Sequence, residues 1–152
     1  EIETRQKWLG AFYAQEIQRG SIPDLTIAWI NFDIGYGVIA NCDLPKQAYI
    51  GEYTGIVRKR RYFSDKKNGY CFEYSIGETI KSPFIIDAKP KGNHTRFINH
   101  SDNPNLEPAC VLSGGLMHII LFAIKPIPKG TQLSYDYGED YWAKRQRIKR
   151  AI

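Results

Sequence analysis

Short apolar runs separated by glycine and proline constrain the fold of this chain more than any other feature. Strand-like runs occupy residues 25–29, 36–41, 48–57, 70–76, 84–87 and 117–123, and one more, 133–135, follows a Pro/Gly-rich turn. The 13 glycines and 8 prolines are scattered, so they indicate many turns and no linker. No segment repeats or has low complexity. Many short strands with one clear helix predict an α+β domain that is mostly β.

The one obvious helix is predicted at residues 4–19. Leu9, Phe12, Tyr13 and Ile17 recur at helical spacing, and polar residues occupy the positions between them. Gly20 is a typical residue just beyond a last helical turn, because glycine adopts the left-handed conformation at little cost. We therefore expect an amphipathic helix that ends at Gly20.

Size and composition indicate one folded domain in a reducing compartment. A chain of 152 residues with 43% hydrophobic and 24% charged residues fits an ordinary globular domain. Its three cysteines are dispersed, which argues against a disulfide scaffold or a zinc cluster and predicts the cytoplasm or nucleus. No apolar run is long enough to span a membrane, and no signal-peptide pattern is present.

Positive charge is concentrated in two segments. The net charge of +5 favours an acidic partner surface without requiring nucleic acid. Residues 58–67 are predicted to form a surface loop or short helix, and the run Lys59-Arg60-Arg61 within them is interpreted as solvated surface, with a nuclear-import signal as the alternative. The second segment is the tail 139–152, whose basic residues are Lys144, Arg145, Arg147, Lys149 and Arg150.

Two glycines flank an aromatic residue in Gly35-Tyr36-Gly37. Glycine there permits positive φ and a close approach of the backbone to a ligand, but for the motif taken alone a simple hairpin turn is the favoured interpretation. The segment is not a dinucleotide-binding fingerprint, because the third glycine and the following helix are missing.

His100 in the stretch 96–105 has two interpretations when taken alone. A hydrogen-bonded core histidine is favoured over a metal ligand, since His94, His118 and the cysteines show no ligand spacing. Serine-hydrolase chemistry is poorly supported, because the sequence has no Gly-x-Ser-x-Gly elbow. The aromatic residues admit a similar choice between core packing and a channel that holds a lysine side chain by cation–π contact; they are Tyr53, Tyr70, Phe72, Tyr135 and Tyr137.

Four ordered motifs resemble those of the SET-domain protein lysine methyltransferases. Residues 32–40 look like the family's Gly-x-Gly segment, and 49–53 like its Tyr-x-Gly-Glu strand. Residues 96–105, Arg-Phe-Ile-Asn-His-Ser-Asp-Asn-Pro-Asn, match its signature, and 127–138 match its closing segment. Gln132 departs from the family's usual glutamate and is expected at the surface. The resemblance spans roughly residues 25–142.

The resemblance implies a fold of several small sheets in which the Asn-His segment threads under the closing segment as a pseudoknot. It divides the chain into an N-terminal helical extension (1–24), a SET domain (25–138) and a C-terminal helical, basic tail (139–152). It also implies a site for S-adenosyl-L-methionine and no metal. The residues expected at the cofactor are Ile34, Gly35, Tyr36, Gly37, Arg96, Phe97, Asn99, His100 and Trp142, the last covering the adenine.

By the same resemblance, the substrate lysine passes between Tyr70, Tyr135 and Tyr137. Tyr137 corresponds to the family's catalytic tyrosine, which orients the amine. Tyr135 lies where the family controls the number of methyl groups that fit, so mono- or dimethylation is expected rather than efficient trimethylation. The family's cysteine-rich zinc modules are missing, so Tyr141 and Trp142 of the tail are expected to complete the channel.

The expected substrate is a lysine in a histone or another basic protein tail. Non-specific contact of the basic tail with nucleosomal DNA is a further expectation. Compact, zinc-free SET proteins of bacteria and viruses have a similar architecture, which suggests a secreted bacterial effector acting in a host nucleus as one origin. Two rival functions stay open: a catalytically inert SET module that binds chromatin or peptide, and a nucleic-acid binder.

Overall fold

The computed structural model describes residues 3–76 and 80–143, and they form an α+β fold dominated by short strands. The helices are α1 (Thr4–Phe12), α2 (Ala14–Arg19) and α3 (Glu139–Trp142), with 3₁₀ turns at Asp65–Lys67 and His94–Phe97. The strands are β1 (Leu25–Asn31), β2 (Gly35–Ala40), β3 (Tyr49–Glu52), β4 (Ile56–Lys59), β5 (Cys71–Ile76), β6 (Ile80–Asp87), β7 (Asn99–His100), β8 (Leu106–Ser113), β9 (Leu116–Ala123) and β10 (Ser134–Tyr135). The predicted fold class is confirmed. The basic residues of the tail beyond 143 lie outside the described residues.

The N-terminal helix is broken in the middle, contrary to the single helix expected. Tyr13, with φ −100° and ψ 15°, separates α1 from α2. Its side chain explains the break: the ring is buried against Tyr49 and Phe122, and its hydroxyl donates to the Gln47 carbonyl at 2.8 Å. The predicted end at Gly20 is confirmed, since this glycine has φ 60° and caps α2.

Gly10 lets α1 lie directly on the backbone of β8. A Cβ built at Gly10 would overlap the Leu112 carbonyl oxygen. Leu9 and Tyr13 enter the same buried cluster as Val111 of β8. Because glycine has no side chain, α1 can pack on β8 at this short distance.

We expect Gly10→Ala to destabilise the protein, although alanine ordinarily stabilises a helix interior by about 1 kcal/mol relative to glycine. The new methyl group would force α1 away from β8, and overpacking of this kind costs roughly 1–3 kcal/mol. Urea unfolding measures the effect, with the exposed Lys7→Ala in the same helix as control. A more stable Gly10→Ala protein would contradict the close packing.

The main antiparallel sheet has the order β3-β9-β8, and a second has the order β4-β6-β5. The strand candidate at residues 48–57, which the sequence interrupts at Gly51 and Gly55, forms two strands that separate at Thr54-Gly55 and join different sheets. Gly55 allows this crossing, because a Cβ there would lie 2.5 Å from the Asp87 carbonyl oxygen. Strand β8 was not predicted at all.

The closing segment 127–135 packs along β2 and beside β7. Ala40 and Val38 of β2 exchange backbone hydrogen bonds with residues 130–133, at 2.7 to 3.0 Å. The largest buried cluster lies beneath these segments and includes Val38, Ile98 and Leu133. In the described part of the chain no helix has the length and apolarity to cross a membrane. This buried cluster therefore supports the region where the signature stretch 96–105 meets the closing segment.

Candidate active site

The signature stretch 96–105 and the closing segment 127–138 form one structural unit. Strand β7 pairs in parallel with β10, placing Asn99 opposite Ser134 and His100 opposite Tyr135. Asn105 locks the unit, because its amide donates to the Gln132 carbonyl and its side-chain oxygen accepts from the Ser134 N–H, both at 2.9 Å. This is the contact that the expected pseudoknot requires between segments about 35 residues apart.

Asn99 attaches the β1–β2 hairpin to this unit. Its Nδ2 donates to the Tyr36 carbonyl and to Gln132 Oε1, both at 2.9 Å, and the residue is 6% exposed. A Cβ at Gly37 would lie 2.6 Å from Gln132 Oε1, so glycine is required for this contact. The surface position expected for Gln132 is wrong. Its side chain is partly buried and holds the orientation of the Asn99 amide.

His100 is hydrogen-bonded on both ring nitrogens, in agreement with the interpretation of a hydrogen-bonded core histidine. The Tyr137 N–H donates to Nδ1 at 3.1 Å, so the ring proton lies on Nε2, which donates to Asp102 at 3.0 Å. The imidazole also packs edge-on against Trp142, with ring centroids 4.9 Å apart. His100 therefore fixes the backbone of Tyr137 and lies behind the cavity walls.

Tyr137 and Tyr135 lie side by side, with ring centroids 4.8 Å apart. The Tyr137 hydroxyl donates to the Ile98 carbonyl at 2.6 Å, so the ring is held over the signature segment. Tyr135 is 7% exposed, and burial raises the pKa of its hydroxyl well above the ordinary value. Burial therefore favours the neutral hydroxyl form of Tyr135.

Two adjoining cavities meet at these tyrosines. The larger, of about 620 Å³, extends over the loop after β4 and along β5, and the smaller has about 290 Å³. Both are lined by Tyr53, Gly69, Tyr135, Tyr137 and Tyr141. The arrangement gives two chambers with a shared wall of phenolic rings.

The smaller cavity brings together most of the residues expected at the cofactor and all three tyrosines of the expected lysine channel. Its lining includes Ile34, Gly35, Tyr36, Arg96, Phe97, Asn99 and Tyr70. Gly37, His100 and Trp142 do not line it. Gly37 lies behind Asn99, and Trp142 stacks on Tyr137 with centroids 6.3 Å apart. The predicted contact of Trp142 with adenine stays a prediction.

The smaller cavity suits a polar, aromatic ligand of moderate size. Its volume is close to the lower end for small-molecule sites. Gly35, with φ 80°, has open space where a side chain would be, so the backbone of the hairpin is accessible there. The rings of Tyr36 and Phe97 line this cavity with centroids 6.0 Å apart, and the Arg96 guanidinium lies over the Phe97 ring at 4.8 Å.

An ion-pair network beneath Tyr70 was not predicted from the sequence. Arg58 contacts Asp65 at 2.5 Å and Asp87 at 2.9 Å, and Asn68 donates to Asp87 at 2.9 Å. Asn68 in turn accepts from the Tyr70 N–H at 3.0 Å. Hydrogen bonds from Arg58 lower the pKa of Asp65. Burial alone would raise the pKa of Asp87, but hydrogen bonds from Asn68 and Arg58 outweigh it and lower that pKa.

Comparisons with known proteins agree with this geometry. The family model described as SET domain matches residues 35–138. Histone-lysine N-methyltransferase SETD2 of Mus musculus is 35% identical over 113 residues, covering 72% of this chain and 4% of that protein. Histone-lysine N-methyltransferase ash1 of Drosophila melanogaster is 31% identical over 132 residues, covering 82% and 6%. Histone-lysine N-methyltransferase Su(var)3-9 of Drosophila pseudoobscura pseudoobscura is 30% identical over 132 residues, covering 80% and 21%. The chain spans about a fifth or less of these relatives.

Proposed function

Because this chain belongs to the SET-domain family, we propose that it is an S-adenosylmethionine-dependent protein-lysine N-methyltransferase. The observation that carries the proposal is the pair of cavities that share a wall of tyrosines. One chamber suits the cofactor, the other a peptide, and the shared rings surround the point where a lysine amine would meet the methyl group.

The smaller cavity is the proposed cofactor site. The backbone of residues 34–36 and 96–99 lies along it, and Asn99, held by the Tyr36 carbonyl and Gln132, contributes a fixed amide. When bound, S-adenosylmethionine supplies a methyl group already activated by its sulfonium. The protein therefore needs to position the amine and favour its neutral form rather than to activate the methyl donor, and positioning alone can lower a barrier substantially.

The shared phenolic wall removes water from the substrate amine. A lysine with a pKa near 10.4 is almost wholly charged at neutral pH, and the charged amine has no lone pair for attack. Burial in a narrow aromatic channel disfavours the charged form. A decrease of about three pKa units corresponds to roughly 4 kcal/mol, which desolvation beside a cationic ligand can supply.

Tyr137 orients the amine. Its hydroxyl proton points to the Ile98 carbonyl, so the oxygen can accept a hydrogen bond from the amine N–H. That bond would direct the nitrogen lone pair toward the cofactor chamber. His100 holds the Tyr137 backbone, so it is a positioning residue.

Tyr135 limits the number of methyl groups. Its buried hydroxyl can hold the amine or a water and so hinder rotation of a methylated lysine, which favours mono- or dimethylation. We expect Tyr135→Phe to shift the products toward trimethyllysine in mass spectrometry of a peptide substrate. Tyr13→Phe, which removes a hydroxyl outside both cavities, provides the comparison. An unchanged product distribution in Tyr135→Phe would contradict this role.

The proposed substrate is a lysine in a histone or a similarly basic tail, in the nucleus or cytoplasm. Support comes from three relatives whose names describe histone-lysine N-methyltransferases. The larger cavity lies next to edge strand β5 and offers room for an extended peptide. We also propose that the basic tail, whose cations lie within residues 144–152, contacts nucleosomal DNA without sequence preference.

Incubation with methyl-labelled S-adenosylmethionine and separate core histones tests the proposed function. Proteins from a bacterial lysate serve as unrelated substrates. We expect the label to enter at least one histone and to require native protein. Cofactor binding without any transfer would instead favour an inert module that binds peptide or chromatin.

A further inference from the structure

Positive charge in the described chain is concentrated in residues 58–67, here called the basic loop. The loop holds six basic residues and one acidic residue, a net charge of +5. The other described residues hold ten basic and thirteen acidic side chains, a net charge of −3. The described part of the molecule therefore has one basic surface on an otherwise mildly acidic body.

Most cations of the basic loop are available to a partner. Asp65, the loop's acidic residue, is already paired with Arg58 at 2.5 Å, and Arg60 faces Glu73 at 3.0 Å. Within the described residues, no carboxylate lies at ion-pair distance from the four exposed cations, and Arg61 acts on Asp65 only at longer range. These four are Lys59, Arg61, Lys66 and Lys67.

The basic loop is held in shape without using these cations. Asp65 accepts from the Arg61 backbone N–H at 2.5 Å while it also binds Arg58. Tyr62 and Phe63 are 71% and 82% exposed, and Lys66 Nζ lies 4.6 Å from the Tyr62 ring centroid. A preformed basic surface loses less conformational entropy on binding than a flexible one does.

The position of the basic loop indicates which polyanion it meets. Arg60, Arg61, Tyr62 and Lys66 line the larger cavity, which also reaches Tyr135. A partner bound to the loop would therefore lie beside the entering peptide. If the peptide is a histone tail, as the proposed function holds, the neighbouring polyanion on a nucleosome is duplex DNA.

We propose that the basic loop binds the backbone phosphates of duplex DNA beside the protein substrate. The identity of the partner rests on the proposed function. Duplex DNA carries about one charge per 1.7 Å of its axis, and binding through phosphates is insensitive to sequence but sensitive to salt. In this proposal the basic loop is a binding surface for DNA, whereas the sequence alone favoured solvent-exposed surface for Lys59-Arg60-Arg61.

The experiment compares two variants with the same change in net charge. One replaces the four exposed cations of the basic loop: Lys59→Gln, Arg61→Gln, Lys66→Gln and Lys67→Gln. The control replaces four exposed lysines outside it: Lys46→Gln, Lys89→Gln, Lys91→Gln and Lys129→Gln. Fluorescence anisotropy with a labelled, mixed-sequence duplex gives Kd over a range of salt concentrations. Residues 144–152 are the same in the wild type and in both variants, so any contribution that they make to DNA binding cancels in the comparison.

We expect the loop variant to bind DNA more weakly and with a salt slope smaller by about 0.9 for each phosphate that the loop no longer neutralises. The control should keep nearly the wild-type slope. If the fourfold variant does not fold, Lys59→Gln and Lys67→Gln singly should each lower the slope by about 0.9.

Equal weakening in both fourfold variants, or no change in the loop variant, would overturn the proposal. So would loop-dependent binding to vesicles of anionic lipid without binding to the duplex. None of these measurements uses cofactor or histone. A failure of the proposed function would appear as missing methyl transfer and would leave the DNA result standing.

Discussion

Tyr137→Phe should lower methyl transfer by roughly 10²–10³-fold, the usual effect of removing one hydrogen-bonding group from a preorganised site. The hydroxyl lies at the wall between the two cavities, and its bond to the Ile98 carbonyl fixes the direction in which its oxygen can accept. Without that oxygen, the amine would lose the acceptor that is proposed to align its lone pair with the cofactor cavity. Single-turnover transfer to a histone peptide measures the rate.

A matched control removes a hydroxyl of the same kind outside both cavities. Tyr13 also donates to a backbone carbonyl, that of Gln47 at 2.8 Å. Tyr13→Phe should lower stability slightly and leave the transfer rate unchanged. Tyr137→Phe should still bind cofactor in calorimetry. If transfer by Tyr137→Phe matched that by Tyr13→Phe, the assigned role of Tyr137 would be wrong.

Arg58→Met should lower the free energy of unfolding at pH 7 by about 3–5 kcal/mol, because it removes the arginine that pairs with two nearly buried carboxylates. Asp65 and Asp87 have side chains only 11% and 10% exposed. Proteins are stable by only about 5–15 kcal/mol, so this loss is a large fraction of the total. Urea unfolding gives the value, and Tyr70 should lose order, since Asn68 links it to Asp87.

The loss of unfolding free energy in Arg58→Met should decrease as the pH is lowered. The pKa values of Asp65 and Asp87 are lowered in the folded protein, so their contribution is present above the unfolded pKa of about 3.9. This stabilising contribution is lost as the pH falls through the lowered pKa values that the two carboxyl groups have in the folded protein. The difference between wild type and Arg58→Met should therefore shrink below about pH 4. Arg5→Met, which removes an exposed pair with Glu107, should cost at most about 1 kcal/mol. A loss at Arg58 no greater than at Arg5 would contradict the stabilising role of the network.

The local patterns that were predictable are those with strong turn or periodic signals. Gly20 ends α2 because its φ of 60° favours glycine. The continuous apolar run at 119–123 indicates the buried central strand β9. Strand β8 was missed because Glu107 and Pro108 weaken its pattern. A proline is tolerated there since β8 is an edge strand.

The contacts that could not be predicted join residues distant in sequence. Nothing near Gln132 indicates that its side chain meets Asn99, because the meeting depends on how the closing segment passes β2. The Arg58 network is similar, since its partners lie 7 and 29 positions away. The resemblance supplied the signature residues and the tyrosine channel, and the fold supplied the contacts of Gln132 and Arg58 and the position of the basic loop.

The most direct measurement is tandem mass spectrometry of core histones after incubation with this protein and S-adenosylmethionine. We expect one or two added methyl groups on a lysine Nζ, and their absence when Tyr137→Phe replaces the wild-type protein. Methylation at another side chain, or equal lysine methylation by the Tyr137→Phe protein, would contradict the proposed reaction and its tyrosine.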